Sequence, residues 1–234
     1  MTERANIVAG LSFTMPSESL LLPFDESGGD VFRVAIGAQT VLLGGLARRR
    51  APELVAAVGV IAAASPFRHM VTPGGWKMSV ALTNCGAVGW VTDRTGYRYD
   101  AIDPLTDRRW PKMPRIFADL AAEAAKAAGF SGFRPDACLV NRYAPGARLT
   151  LHQDRNERDF DQPIVSVSLG LPAIFLWGGK TRADKVRRIP LIHGDVMVWG
   201  GPDRLTFHGV HPLADGEHPL TGAYRFNFTF RRAL

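Results

Sequence analysis

His152-Gln153-Asp154 sets an imidazole and a carboxylate two positions apart, a spacing that on extended backbone turns both side chains to one face. Two donors so placed suit two ligands of one metal ion. With six histidines in 234 residues a chance His-x-Asp is easily met, so the pair gains its meaning from a third donor. His208 reads as that donor: it lies in Leu205-Thr206-Phe207-His208-Gly209-Val210, a short apolar strand where an imidazole without a partner is costly. His211 competes for the role but adjoins turn-prone Pro212 and ranks second. Two histidines and one carboxylate with open positions form the facial triad of non-haem iron(II) oxygenases, and zinc hydrolases use the same ligand types.

A strand near the C-terminus bears on that choice. Arg225-Phe226-Asn227-Phe228-Thr229-Phe230-Arg231 alternates strictly, with Arg225, Asn227, Thr229 and Arg231 on one face and three phenylalanines on the other. An edge strand with its arginines in water is the ordinary alternative. In a barrel, the phenylalanines pack on outer helices and the polar face lines the interior. Two guanidiniums there need anionic partners, and a dicarboxylate such as 2-oxoglutarate supplies them through charge-assisted bonds, which favours iron over zinc.

Five ordered segments carry a more specific signal: Asn141–Ala147 (NRYAPGA), Leu151–Asp154 (LHQD), Pro163–Gly170 (PIVSVSLG), His193–Val196 (HGDV) and Arg225–Arg231 (RFNFTFR). In order and spacing they resemble the bacterial AlkB proteins, from about Pro66 to Arg232. The resemblance implies that His152, Asp154 and His208 bind iron(II), with 2-oxoglutarate and O2 as co-substrates. It gives the co-substrate carboxylates to Arg225 and Arg231, with Asn141, Tyr143 and Asn227 adding hydrogen bonds. It also implies oxidative dealkylation of bases such as 1-methyladenine and 3-methylcytosine in DNA, single-stranded or duplex, with RNA as a second candidate. On the substrate side it matches Trp90 to an aromatic residue that stacks on an extruded base opposite His152. Tyr97 matches a position that approaches a backbone phosphate, and Arg182 lies in a corresponding basic loop. Asn156 departs from the family, which commonly has an acidic residue there; without that charge, preference for a cationic alkylated base is expected to change.

Two other functions stand beside this one. A dioxygenase of the same fold acting on a protein or small molecule is disfavoured by Trp90, Tyr97 and the basic loop. A nucleic-acid binding module with a structural or vestigial metal site is disfavoured by the complete triad and both arginines.

The elements that must position these residues are short. Pro52–Ala64 and Pro114–Ala128 each open with proline, are rich in alanine and read as helices. Strands are expected at 78–83, 137–143, 148–152, 164–169, 173–177, 186–191, 195–199 and 224–231, separated mostly by Gly, Pro and Asn/Asp. Helices early and strands late indicate an α+β, mostly β chain: a double-stranded β-helix (jelly roll) core with an N-terminal helical layer. The resemblance adds a nucleotide-recognition lid. Residues 1–30 read as a loosely ordered arm and 31–234 as one dioxygenase domain, with lid and supporting helix at about 66–130 and the catalytic core at 131–234.

Lys and Arg number 28 against 22 Asp and Glu, a net charge of +6 that draws the chain toward polyanions. Arg48-Arg49-Arg50 before the first helix and the basic stretch Lys180–Arg188 concentrate this charge; the first reads as a frayed surface loop, the second as a phosphate track with a solvated turn and strand close behind. Two cysteines, Cys85 and Cys138, are too few for a disulfide framework and point to a reducing cytoplasmic compartment. The N-terminal stretch lacks a secretory pattern, no apolar run is long enough for a membrane span, and a monomer is expected.

Overall fold

The computed structural model describes residues 31–234; the expected N-terminal arm lies outside the described residues. β1 (Phe32–Ala35) and β2 (Thr40–Gly44) precede helix α1 (Ala51–Ala64). β3 (Ala81–Gly86), β4 (Gly89–Asp93), β5 (Gly96–Asp100), and the two-residue β6 (Ile102–Asp103) and β7 (Arg108–Arg109) lead to α2 (Arg115–Ala127). The remainder is β8 (Ala137–Tyr143), β9 (Leu149–His152), β10 (Ile164–Gly170), β11 (Ala173–Trp177), β12 (Arg187–Leu191), β13 (Val196–Trp199), β14 (His208–Val210) and β15 (Arg225–Arg231).

Two antiparallel sheets form the jelly roll. The larger runs β1-β2-β13-β10-β15-β8-β3 and the smaller β12-β11-β14-β9. In α2, Phe117, Leu120, Ala121, Ala124 and Ala125 are buried, a helical stripe at i, i+3, i+4, i+7 and i+8. That stripe lies on the outer face of β15, where Phe117 stacks on Phe228 with ring centroids 4.6 Å apart and meets Phe230 edge-on at 5.9 Å. The alternation of β15 is thus resolved as a buried strand: its phenylalanines join the helices in the core, and its polar residues line the space between the sheets.

Both helices begin and end within two residues of the bounds expected from sequence, and β8 and β11 match theirs. β3 is displaced to Ala81–Gly86 because Met78 bonds back to Met70, which closes a separate turn. β1, β2 and the β4–β5 hairpin were not expected from sequence. In β2 all five residues are buried, so no two-residue alternation marks it. Cys85 and Cys138 stand opposite each other across β3 and β8, buried and as free thiols. Among the described residues, no helix is long and apolar enough to cross a membrane.

One close approach fixes the register that matters. β14 pairs with β9 through His208 opposite His152 and Val210 opposite Leu149, with an irregularity between them. Gly209 sits at that irregularity, where an added Cβ would lie 2.7 Å from the Leu149 carbonyl oxygen. Gly209→Ala must push the two strands apart and is expected to cost about 1–3 kcal/mol in stability. Because the shift also separates His152 from His208, the melting temperature gained on adding metal should shrink; thermal melts with and without metal measure both effects.

Candidate metal centre and active site

β9 ends at His152, the chain continues extended to Asp154, and β14 brings His208 directly opposite His152. The two imidazole centroids are 4.5 Å apart, and each Nε2 lies 3.8 Å from an Asp154 carboxylate oxygen. One donor atom from each residue falls within 4.8 Å of the other two. His152 Nδ1 is 2.8 Å from the Thr150 carbonyl oxygen, and His208 Nδ1 is 2.9 Å from that of Thr206. A carbonyl only accepts, so each Nδ1 carries the proton and each Nε2 lone pair is left for a metal. His211 is outside this group.

The centre is dry on one side and open on the other. His208 is buried against Trp199, Phe175 and Trp177, with centroids 5.0, 5.8 and 6.4 Å away, whereas the His152 side chain is 36% exposed. Burial, with the neighbouring His152, lowers the His208 pKa to about 4, so its imidazole is neutral at pH 7. Burial alone would raise Asp154, but Arg231 and the two imidazoles outweigh it and hold the carboxyl below the usual range.

Arg231 binds the metal carboxylate itself: its Nη2 and Nε donate to Asp154 Oδ2 at 2.7 and 3.1 Å. Its Nε is also 3.3 Å from Glu157 Oε1. Glu157 is buried, accepts from Arg204 Nη2 at 2.9 Å and from the Tyr99 hydroxyl at 2.5 Å, and Arg204 Nη1 donates to the Asp154 carbonyl oxygen at 2.8 Å.

Arg225, at the other end of β15, is differently placed. It is 1% exposed, and its Nη2 donates to Ser168 Oγ at 2.9 Å. Its Nε and Nη1, with the Tyr143 hydroxyl and Asn141 Oδ1, have no hydrogen-bond partner among the described residues. Antiparallel pairing puts Tyr143 opposite Arg225 and Asn141 opposite Asn227, so all four share the inner face. The guanidinium carbon lies 4.9 Å from the centroid of the Tyr143 ring. Burial pushes the Tyr143 hydroxyl up to about 12, so it stays a donor. Asn227 donates to Ser166 Oγ at 2.8 Å and to the Val167 carbonyl oxygen at 3.0 Å, and accepts from Asn141 Nδ2 at 3.1 Å. A buried cation with two idle N–H groups beside an idle hydroxyl is a receptor for an anionic oxygen ligand, because leaving such groups unpaired costs several kcal/mol. These residues therefore fit the carboxylate of an oxoacid co-substrate.

Of the substrate-side residues, Trp90 and Tyr97 lie on the β4–β5 hairpin and Asn156 against it. Asn84 fixes the Trp90 backbone through two 3.0 Å bonds, and Trp90 stacks diagonally on Tyr97 with centroids 5.7 Å apart. Trp90 Nε1 donates to Asn156 Oδ1 at 3.3 Å. Asn156 is thus joined to the indole. Arg182 donates to the Leu151 carbonyl oxygen at 2.5 Å and lies over Phe207, so its charge sits beside the β9 edge. Tyr99, Glu157 and Arg204 were not singled out from sequence. Glu157 stands three residues after Asp154, the one signal that pointed to it; Arg204, 47 residues further on, carried none.

Comparison with known proteins follows these features. A profile described as the 2OG-Fe(II) oxygenase superfamily matches residues 39–231. The match thus begins upstream of the Pro66 boundary expected from sequence. The alpha-ketoglutarate-dependent dioxygenase AlkB of Salmonella typhimurium is 58% identical over 193 residues, spanning 82% of this chain and 89% of that one. The protein of the same name from Escherichia coli K12 is 56% identical over 198 residues, spanning 85% and 92%. Among solved structures, OsALKBH1 superposes with a TM-score of 0.75 at 28% identity, covering 86% of this chain and 99% of that one.

Two measurements check the electrostatics. Because His208 titrates near 4 when folded and about 6.5 when unfolded, the unfolded chain binds more protons between those values. Stability of the metal-free protein should therefore fall as pH drops from 6.5 toward 4, by up to about 3 kcal/mol, and His208→Asn should flatten that slope in denaturant titrations. Glu157→Gln leaves Arg204 and Arg231 short of a buried counter-charge and should cost about 3–5 kcal/mol, read as a lowered denaturation midpoint.

Proposed function

The chain belongs to the AlkB family of the 2OG-Fe(II) oxygenase superfamily, and from that premise we propose that it repairs nucleic acid by oxidatively removing alkyl groups from base nitrogens. It is an iron(II)- and 2-oxoglutarate-dependent dioxygenase. The observation that carries the site assignment is a two-histidine, one-carboxylate cluster held through Arg231 by the same strand, β15, whose inner face also carries the buried, part-idle Arg225. An N-methyl base, 2-oxoglutarate and O2 give the unmethylated base, formaldehyde, succinate and CO2. Iron(II) with 2-oxoglutarate and O2 supplies the oxidation of the alkyl carbon; the hydroxymethyl group so formed leaves the nitrogen as formaldehyde.

The chain's own groups bind, orient and exclude water. His152, Asp154 and His208 would hold iron(II), and Arg231 keeps the Asp154 carboxylate ionised and oriented from behind. The idle donors of Arg225 and Tyr143 take one co-substrate carboxylate, with Asn141 and Asn227 locking the floor beneath it. Trp90 offers a stacking face for an extruded base, and His152 is the exposed member of the cluster through which that base approaches. Tyr97 and Arg182 lie at the rim, where phosphates pass. The β4–β5 hairpin belongs to a substrate-recognition lid over the catalytic core.

The ligand is alkylated DNA, supported by an Arabidopsis thaliana relative, 40% identical over 110 residues, that is called a DNA N(6)-methyladenine demethylase, with RNA as a second ligand, since a Schizosaccharomyces pombe relative 31% identical over 137 residues is called a tRNA demethylase. Single strands are favoured because unpairing costs a few kcal/mol in a duplex. The protein acts as a monomer in the cytoplasm.

The direct test is aerobic incubation of iron-loaded protein with 2-oxoglutarate and a single-stranded oligonucleotide bearing one 1-methyladenine, followed by mass spectrometry. Loss of one methyl mass that disappears in Asp154→Ala supports the reaction; succinate formation without change in the base assigns the dioxygenase another substrate. Asn156 holds the Trp90 indole without a charge, so Asn156→Asp should raise the ratio of turnover on cationic 1-methyladenine to turnover on neutral 3-methylthymine by about tenfold. An unchanged ratio contradicts the specificity role.

A further inference from the structure

Trp76 is the most exposed large apolar side chain among the described residues, at 79%, and the proposed reaction does not use it. Its exposure is not that of a slack loop. Thr72 N–H donates to the Trp76 carbonyl oxygen at 2.9 Å, Gly75 N–H to that of Thr72 at 2.8 Å, and Met78 N–H to that of Met70 at 2.9 Å. Trp76 N–H donates to Thr72 Oγ1 at 3.2 Å, and Val71 pairs antiparallel with Lys77. The turn is closed on itself and holds the backbone from which the Trp76 indole projects, leaving its apolar area in water.

This turn leans on the substrate-side hairpin. Thr92 Oγ1 donates to the Val71 carbonyl oxygen at 3.3 Å, and a Cβ at Gly75 would lie 3.7 Å from Arg94 Nη2. Arg94 and Lys77 are exposed and have no carboxylate within ion-pair distance among the described residues. Asp93, beside them, is turned toward Thr95 and Arg98, so the edge presents positive charge. Along the same hairpin stand Tyr97, 48% exposed, and Trp90 stacked on it. Three strand steps separate Trp90 from Asp93, about 10 Å at the usual rise, and Arg94 opens the turn beyond it.

We infer that Trp76, Arg94 and Lys77 form a second binding surface for single-stranded nucleic acid. Trp76 stacks on a base a few nucleotides away from the extruded one, and the two cations meet the intervening phosphates. Aromatic faces interleaved with unpaired cations suit this ligand because every base has a π-face and every linkage a charge. The inference rests on the nucleic-acid reading of the adjoining site.

The experiment measures binding of undamaged, fluorescein-labelled single strands, one a trinucleotide and one of about ten nucleotides, to the full chain and its variants. Trp76→Ala should lose roughly 5- to 30-fold in affinity for the longer strand, leaving the trinucleotide unaffected, while Trp76→Phe keeps most of the affinity. Arg94→Ala should reduce the salt dependence by about 0.7 in the logarithmic slope. Equal affinity of Trp76→Ala and parent for the longer strand overturns the inference, as does an equal loss at both lengths, which would mark a structural role. Repair of a methylated trinucleotide by the parent, followed alongside, reports on the reaction alone: its failure would overturn that reaction and leave the surface standing.

Discussion

Strand β15 carries two arginines into the space between the sheets, Arg225 at 1% and Arg231 at 6% exposure. Burying a guanidinium costs several kcal/mol unless anions meet it. The strand cannot turn them outward, because its other face packs three phenylalanines under α2 and a one-residue slip would bury the charges among them. The two ends of the strand meet this constraint differently. Arg231 is matched by Asp154 and Glu157 of the protein itself, whereas Arg225 has Ser168 and otherwise idle donors. One end therefore builds the metal carboxylate into the fold, and the other keeps a place for an anion from solution.

The segment after β9 turns that arrangement into a connected site. Asp154 faces the imidazoles and Arg231, Asn156 faces the Trp90 indole, and Glu157 faces Tyr99, Arg204 and Arg231. Trp90 and Tyr99 are register partners on the β4–β5 hairpin. Through Asn156 and Glu157 the hairpin thus touches the segment that carries the metal carboxylate, giving a physical connection from the hairpin to the metal centre.

How far the sequence revealed this depended on whether the physics was local. Alternation in β15 and the alanine-rich helices are properties of consecutive residues, so both were visible, as was the His-x-Asp spacing at the end of β9. The partner of that pair, His208, lies 54 residues beyond Asp154 and was reached by asking what an imidazole does in an apolar strand. The β4–β5 hairpin was missed because Trp90, Thr92, Tyr97 and Tyr99 on one face mix polar and apolar types, which blurs a two-residue period. The Glu157–Arg204 pair was missed because ion pairing between distant charged residues leaves no periodic trace. Arg231 was read as a co-substrate contact, and the structure adds its bond to Asp154.

The central claim is that the idle donors of Arg225 and Tyr143 exist to bind the far carboxylate of a dicarboxylic oxoacid. Calorimetric titration of manganese-loaded protein with 2-oxoglutarate, and with 2-oxobutyrate that lacks that carboxylate, tests it most directly. The account requires 2-oxoglutarate to bind about a hundredfold more tightly than 2-oxobutyrate, with the difference abolished in Arg225→Met. Equal affinities for the two acids, or a preference that survives in Arg225→Met, would contradict it.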